Sequence, residues 1–224
     1  MPTVTGTKPA PRSGPAAVFD PGSNRMIVFG GALGFASPCA NDLWVLSNAN
    51  GVGGAPAWTQ LTTSGGPPSP RTRLAAVYDQ ATNTMIIHGG NNCFSIENSD
   101  VWILTNANGL TGTPTWTQLP PTGTAPSGRE DNAAVYDSAN NRMIIYGGAT
   151  TSTDDPSAWV LTNANGAGGT PAWIQLSPSG TIPPARATNT DVYDAAHNIM
   201  TVFGGQDGSG NILNDTWYLL APTE

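Results

Sequence analysis

The stretch AAVYDQATNTMIIHGG (Ala75–Gly90) decides the fold, because the chain repeats it with small changes. The copies are AAVFDPGSNRMIVFGG from Ala16, AAVYDSANNRMIIYGG from Ala133 and TDVYDAAHNIMTVFGG from Thr190. Asp20, Asp79, Asp137 and Asp194 recur at steps of 59, 58 and 57 residues, and the glycine pairs that begin at Gly30, Gly89, Gly147 and Gly204 keep the same steps. Outward from that core come Trp44, Trp102, Trp159 and Trp217, then Trp58, Trp116 and Trp173, so all seven tryptophans belong to the repeat. A fixed period of this length with four short apolar runs per unit marks a repeated supersecondary element. The units are read as residues 12–70, 71–128, 129–185 and 186–224 of one domain.

Each unit reads as four strands, a to d: AAVYD, RMIIYGG, DLWVL and WTQL in representative copies. All are short, β-branched or aromatic, and bounded by Gly, Pro, Asn or Asp. In the a–b link, Asp and an Asn four residues on have side chains that bond nearby backbone in a tight reverse turn. No segment shows helical periodicity, so the class is all-β, and repeated four-stranded antiparallel sheets pack radially as propeller blades. The glycine pair lets neighbouring backbone approach closely, and Trp and Tyr fill the space between blades. The fourth unit stops after strand c, which leaves fifteen strands and a last blade without its outer strand. Aligning Arg12 with Arg71 places Met1 opposite Gln60, so by simple register the N-terminus has no strand-d equivalent to lend the last sheet. Irregular pairing of Pro2 to Thr5 with it is the route left open.

The pattern PxxR…AAVYD…MIIxGG…NDxWVL…WTQL resembles the Kelch repeat over essentially the whole chain. Galactose oxidase and bacterial extracellular Kelch proteins are the nearest in flavour. The resemblance implies a Kelch-like β-propeller of four repeat units. It also implies a binding role on the face formed by the b–c loops and the d–a connections, and an extracellular or secreted location. Kelch rings usually have more than four blades, so self-association into a dimer that completes a larger ring is expected. Galactose oxidase holds copper with tyrosine and histidine ligands and a cysteine–tyrosine crosslink; no matching set occurs here, and no cofactor is expected.

Composition removes several classes of partner. The formal net charge is −7 and Lys8 is the only lysine, so the cationic footprint needed for nucleic acid or an anionic membrane is missing. No run of 18 apolar residues exists, and the first residues have no signal-peptide core. His88 takes a slot that Phe29, Tyr146 and Phe203 fill elsewhere, while His197 sits in an a–b turn at the other end of its blade. A five-residue strand spans roughly 17 Å, too far for two such histidines to share one ion within a blade. DGSGN (Asp207–Asn211) has alternating oxygens but lacks the length and terminal Glu of a calcium loop, and reads as a Gly-rich hairpin. No metal site is expected.

Cys39 and Cys93 fall in the b–c loops of adjacent units, where a disulfide between them is expected. Arg12, Arg71, Arg129 and Arg186 precede strand a once per unit. They are read first as partners of strand-c carboxylates such as Asp42, Asp100 and Asp215, and second as an anion-binding ring. The b–c loops diverge completely and carry Phe35, Phe94, Glu97, Asp154, Asp155 and Asp207. Unit three has Ser157 in place of the strand-c aspartate, and unit four has Asp191 where the others have alanine, an expected channel-lining position. The resulting function is a non-catalytic binding or assembly module for a protein or a glycan. The alternatives are a carbohydrate-active enzyme using Asp154, Asp155, Asp191 or Glu130, and a purely structural half-ring.

Overall fold

In a computed structural model the chain is all-β, and residues 3–34 and 37–221 are described. Blade one comprises β1 (Ala16–Asp20), β2 (Arg25–Phe29), β3 (Leu43–Ser47) and β4 (Ala57–Leu61). Blade two comprises β5 (Ala75–Asp79), β6 (Thr84–His88), β7 (Val101–Thr105) and β8 (Thr115–Leu119). Blade three is β9 (Ala133–Asp137), β10 (Arg142–Tyr146), β11 (Ala158–Thr162) and β12 (Ala172–Gln175). Among the described residues, blade four has three strands, β13 (Thr190–Asp194), β14 (Ile199–Gln206) and β15 (Ile212–Leu220). Within each blade the strands are antiparallel and in sequence order. The result is a four-blade propeller whose last blade lacks its outer strand.

Local chemistry sets each a–b hairpin. Asn24, Asn83, Asn141 and Asn198 all take positive φ, between 51° and 53°, a region that Asn tolerates better than other non-glycine residues. The aspartate that opens the turn accepts a backbone N–H two residues on, as in Asp79 Oδ1 with Ala81 N at 3.0 Å. Blades then join through three apolar layers. Phe29, Leu43 and Val45 of blade one meet Met85, Ile87, Leu104 and Trp116 of blade two. Val77, Ile86 and Ile103 meet Met143, Ile145, Leu161 and Trp173, and Val135, Ile144 and Val160 meet Met200 and Val202. Each such side chain contributes roughly 1.5–3 kcal/mol on full burial.

The glycine pair is the close approach that the sequence implies. A Cβ on Gly30, Gly89 or Gly147 would lie 2.6–2.7 Å from the carbonyl oxygen of Arg71, Arg129 or Arg186 in the next blade. The second glycine of each pair donates its N–H to that same carbonyl, at 2.8–2.9 Å. Blade four has no following arginine, and there the hairpin runs on through Gly205 and Gln206 with a register shift.

A second link crosses between blades at the opposite end. Asn108, in the loop after β7, donates to Asp20 Oδ2 of blade one at 2.8 Å, and Asn165 does the same to Asp79 at 2.7 Å. The Asn-Ala-Asn-Gly loops of blades two and three therefore clamp each of these blades to its predecessor's a–b turn.

The N-terminal segment departs from expectation. Thr5 pairs with Ala57 on β4, the outer strand of the first blade, and not with the last sheet; Pro2 lies outside the described residues. Ser64 pairs with Thr115 and Thr122 with Ala172 in the same parallel manner. Residues 3–11 are thus built like the connections that enter blades two and three. Register explains this: Gly6, Gly65 and Gly123 each sit under the carbonyl of the outer-strand tryptophan.

The ends of the arc are open. β1 packs on β5, β5 on β9 and β9 on β13, with no comparable packing between β13 and β1. Val192, Phe203 and Tyr218 share one face of blade four and are 66%, 52% and 65% exposed, whereas their blade-three counterparts are buried. Phe19 of blade one is exposed as well.

Candidate functional site

The four repeat arginines are interior scaffold. Arg71, Arg129 and Arg186 are fully buried and Arg12 nearly so. Arg71 forms a fork with Asp100 at 2.6 and 3.0 Å and also donates to the Gly89 carbonyl at 3.0 Å. Arg12 with Asp42 and Gly30, and Arg186 with Asp215 and Gly204, repeat this geometry. The same aspartates accept the indole N–H of Trp44, Trp102 and Trp217. Burial alone would raise the Asp42 and Asp100 carboxyls, but their arginine and tryptophan partners outweigh it and hold them below the usual range. Each of these guanidinium groups has carboxylate and carbonyl partners inside its own blade, and Arg12 also borders the cavity described below.

Blade three divides one residue's work between two. Asp155 Oδ2 accepts from Arg129 at 2.9 Å, while Ser157 Oγ accepts the Trp159 indole at 2.7 Å. Asp155 Oδ1 in turn takes the Ser157 N–H at 2.6 Å. Asp155 is therefore an internal ion-pair partner.

The b–c loops and the turns before strand a together make a bowl on one face. One cavity of 840 Å³ is lined by Arg12, Ser13, Leu33, Thr72, Arg73 and Glu130 among others. A second, of 630 Å³, is lined by Arg73, Glu130, Asp131, Asp154, Thr188 and Asp207 among others. Arg73 lies 3.4 Å from Glu130 and 3.3 Å from Asp131, and is half exposed. The floor is a staircase of backbone bonds: Arg73 N–H to Gly14 O, Asp131 N–H to Arg73 O and Thr188 N–H to Asp131 O, at 2.7–3.0 Å. All four of these residues take positive φ, between 54° and 59°.

The bowl is acidic. Burial raises the Glu130 carboxyl; Arg73 opposes this, and Asp131 and Glu97 add to it. Asp131 is raised by burial against Arg73, and Asp154 by burial and by Asp207. Asp207 itself is lowered, chiefly by the Asn211 side chain, and it accepts the N–H groups of Ser209 and Asn211 at 2.9 Å each. DGSGN is thus a turn organised around its own aspartate. Below the bowl, Asp191 lines a 230 Å³ space with Ala17, Ala76, Ala134 and Asn132. Burial there pushes its carboxyl up to about 7.

The remaining candidates are spread apart. Phe94 is 69% exposed on the loop beside this face, with Ile96 exposed near it. Phe35 lies outside the described residues. Cys39 and Cys93 are joined as a disulfide with Cα atoms 5.6 Å apart, tying the loops of blades one and two. His88 is fully buried and edge-on to Trp173 at 5.1 Å, as Phe29 packs on Trp116 at 4.7 Å. Burial, with Arg129 and Arg71 nearby, pushes its imidazole down to about 3. His197 bonds Asp194 at the far end of its blade. Sequence reasoning missed Arg73, the bowl's central cation. Its signal was divergence, since the equivalent positions hold Gly14, Asp131 and Thr188.

Comparison with known proteins agrees with this architecture. The family model described as the KLHDC2/KLHL20/DRC7 Kelch-repeats domain matches residues 1–109 and again 110–223. Dynein regulatory complex subunit 7 of Chlamydomonas reinhardtii is 35% identical over 126 residues, which are 55% of this chain and 10% of that protein. The expected extracellular location is corrected by this match, because the relative is a subunit of a dynein regulatory complex. With both halves matched by the family model, the chain belongs to the Kelch-repeats domain family and is a Kelch β-propeller.

Proposed function

We propose that this chain is a non-catalytic protein-interaction module that holds a cationic segment of a partner protein in the acidic bowl. The observation that carries this reading is the convergence of Glu130, Asp131, Asp154 and Asp207 around a single half-exposed cation, Arg73. Burial raises three of these carboxyls, with like charge adding to it at Glu130 and Asp154, so an incoming guanidinium or ammonium group would supply a counter-charge that favours their ionised form. The similarity to a complex subunit supports an assembly role over a solitary one.

The test is a panel of Arg- or Lys-rich, neutral and acidic peptides titrated against the protein and against a Glu130→Gln/Asp131→Asn/Asp154→Asn variant. Selective binding of the basic peptides, weakened by salt and lost in the variant, is expected. Equal binding of neutral or acidic peptides overturns the reading. A glycan array run beside it addresses the second reading, which the exposed Phe94 favours as a stacking surface. Turnover of any glycoside that Asp154→Asn abolishes would make the face catalytic.

Self-association is the third part of the proposal. The uncovered blade-four face with Val192, Phe203 and Tyr218 and the blade-one face with Phe19 are the two halves of a layer built three times inside the chain. A second copy joins them across a twofold axis and closes a larger ring. Sedimentation should show a dimer that Phe203→Lys dissociates. A monomer at every concentration would overturn this part.

A further inference from the structure

The loops that follow the third strand of blades one, two and three carry one tetrapeptide, Asn-Ala-Asn-Gly, at Asn48–Gly51, Asn106–Gly109 and Asn163–Gly166. They are built alike nearly atom for atom. The second asparagine of each, Asn50, Asn108 or Asn165, donates its N–H to Oδ1 of the a–b turn asparagine of its own blade at 3.0 Å. Its Oδ1 accepts from Nδ2 of that turn asparagine at 2.6–2.8 Å and from the N–H two residues on at 2.8–3.1 Å. The glycine N–H is bonded to the carbonyl three residues back, at 2.9 Å in all three.

One bond differs. Asn108 Nδ2 donates to Asp20 and Asn165 Nδ2 to Asp79, each in the preceding blade. Asn50 is exposed, and among the described residues its Nδ2 has no acceptor. The clamp also favours the glycine. Gly109 and Gly166 take φ of +70° and +80°, and a Cβ on them would strike Leu61 and Ile103 of the preceding blade at 2.6 and 2.8 Å. Packing thus keeps glycine beside an asparagine, the pairing in which that amide is chemically weakest. With no Cβ to hinder it, a glycine nitrogen closes readily on the amide carbon of the residue before it.

We propose that Asn108 and Asn165 are gated deamidation sites, converted to aspartate or isoaspartate only while their blade-to-blade clamp is open, and that conversion then holds the clamp open. In the first step the Gly109 nitrogen bonds to Asn108 Cγ. The amide nitrogen leaves as ammonia, taking the glycine N–H proton with it. Water then opens the five-membered imide at one of its two carbonyls and leaves a carboxylic acid. With the clamp closed, Asn108 is held at Nδ2 and twice at Oδ1, so ring closure waits for these bonds to break. After conversion the donor to Asp20 is gone. Burial would raise the Asp20 carboxyl, but the Asn108 amide and the turn donors outweigh it and keep it ionised. A carboxylate in place of that amide sets two like charges together where a hydrogen bond joined the blades. A transient opening therefore becomes a permanent one. The sites lie at the opposite end of the blades from the acidic bowl and do not depend on what the bowl binds.

The test incubates the whole chain in mildly alkaline buffer and follows conversion at the three Asn-Gly sites by peptide mass spectrometry. Asn50 should convert first, with Asn108 and Asn165 slower by about tenfold or more, the worth of one hydrogen bond to a charged group. In denaturant the three rates should converge, because the tetrapeptides are identical. Asp20→Ala should speed Asn108 alone and Asp79→Ala should speed Asn165 alone. Equal rates in the folded chain overturn the proposal. So does acceleration of Asn165 by Asp20→Ala to the same degree as Asn108, which would make global unfolding the gate. The second half is read from Asn108→Asp, which copies one product. Hydrogen exchange in the β1–β2 turn should quicken in that variant and not in Asn50→Asp; unchanged exchange in Asn108→Asp overturns the claim that conversion holds the clamp open.

Discussion

At the scale of single residues, two departures from the repeat leave measurable marks. His88 sits in an aromatic slot with neither ring nitrogen hydrogen-bonded, so it carries two orphaned polar atoms. His88→Phe restores the pattern of Phe29 and should stabilise the fold by about 1–3 kcal/mol. The imidazole is held near 3 in the folded chain and titrates near 6.5 unfolded, so the unfolded state takes up the proton first. Stability is therefore lost as pH falls from 6.5 towards 3, and thermal melts across that window should show the phenylalanine variant losing less. Asp191 has the opposite sign. Its carboxyl keeps its proton to about 7 when folded but releases it from 3.8 when unfolded, so stability falls as pH rises through that interval. The advantage of Asp191→Asn should grow between pH 4 and 7 and then level off; a constant difference would place the carboxylate in water.

At the scale of elements, the paired arginines and aspartates lock the bowl end of each blade. Asp155→Ala strands the buried Arg129 without a carboxylate and should cost about 3–5 kcal/mol in a denaturant titration. Adding Ser157→Asp to it recreates the arrangement of the other blades and should recover most of that loss. Failure of the rescue would mean that the blade-three loop, and not the ion pair, is the source. Much of this was legible beforehand: period, turn residues and β-branched runs located fifteen strands, and the recurrence of arginine ahead of strand a pointed to carboxylate partners. The exchange of Asp for Asp155 plus Ser157 was not legible, because it depends on a loop curling back two residues. Nor was the role of Asn108 and Asn165, since Asn-Ala-Asn-Gly reads as ordinary turn chemistry until its neighbour 86 or 88 residues away is known. Arg73 escaped notice for a related reason. Periodicity exposes what is constant, while a bowl is made from what varies.

At the scale of the molecule, each blade packs on the next through one apolar layer and one glycine–carbonyl contact, and blades one to three are also joined by two asparagine clamps. The clamp is incomplete at both ends. Unit four has Leu220 and Ala221 where the others have Ser or Thr and then Asn, and it lacks the Asn-Ala-Asn-Gly loop; Asp194 bonds only within its own turn, to Ala196 and His197. Such a chain is a short one-dimensional array, whose stability is a sum of units and couplings between nearest neighbours. Opening should then begin where a unit has one neighbour and fewest strands. Hydrogen exchange should release β13 and β15 first and β6 and β10 last, in steps and not together. A Gly147→Ala change, which wedges a Cβ against the Arg186 carbonyl, should detach that last unit while the first three stay protected. The glycine pair is then more than a spacer. It sets the coupling constant of the array, and so determines whether four blades melt as one body or peel away singly from the free end.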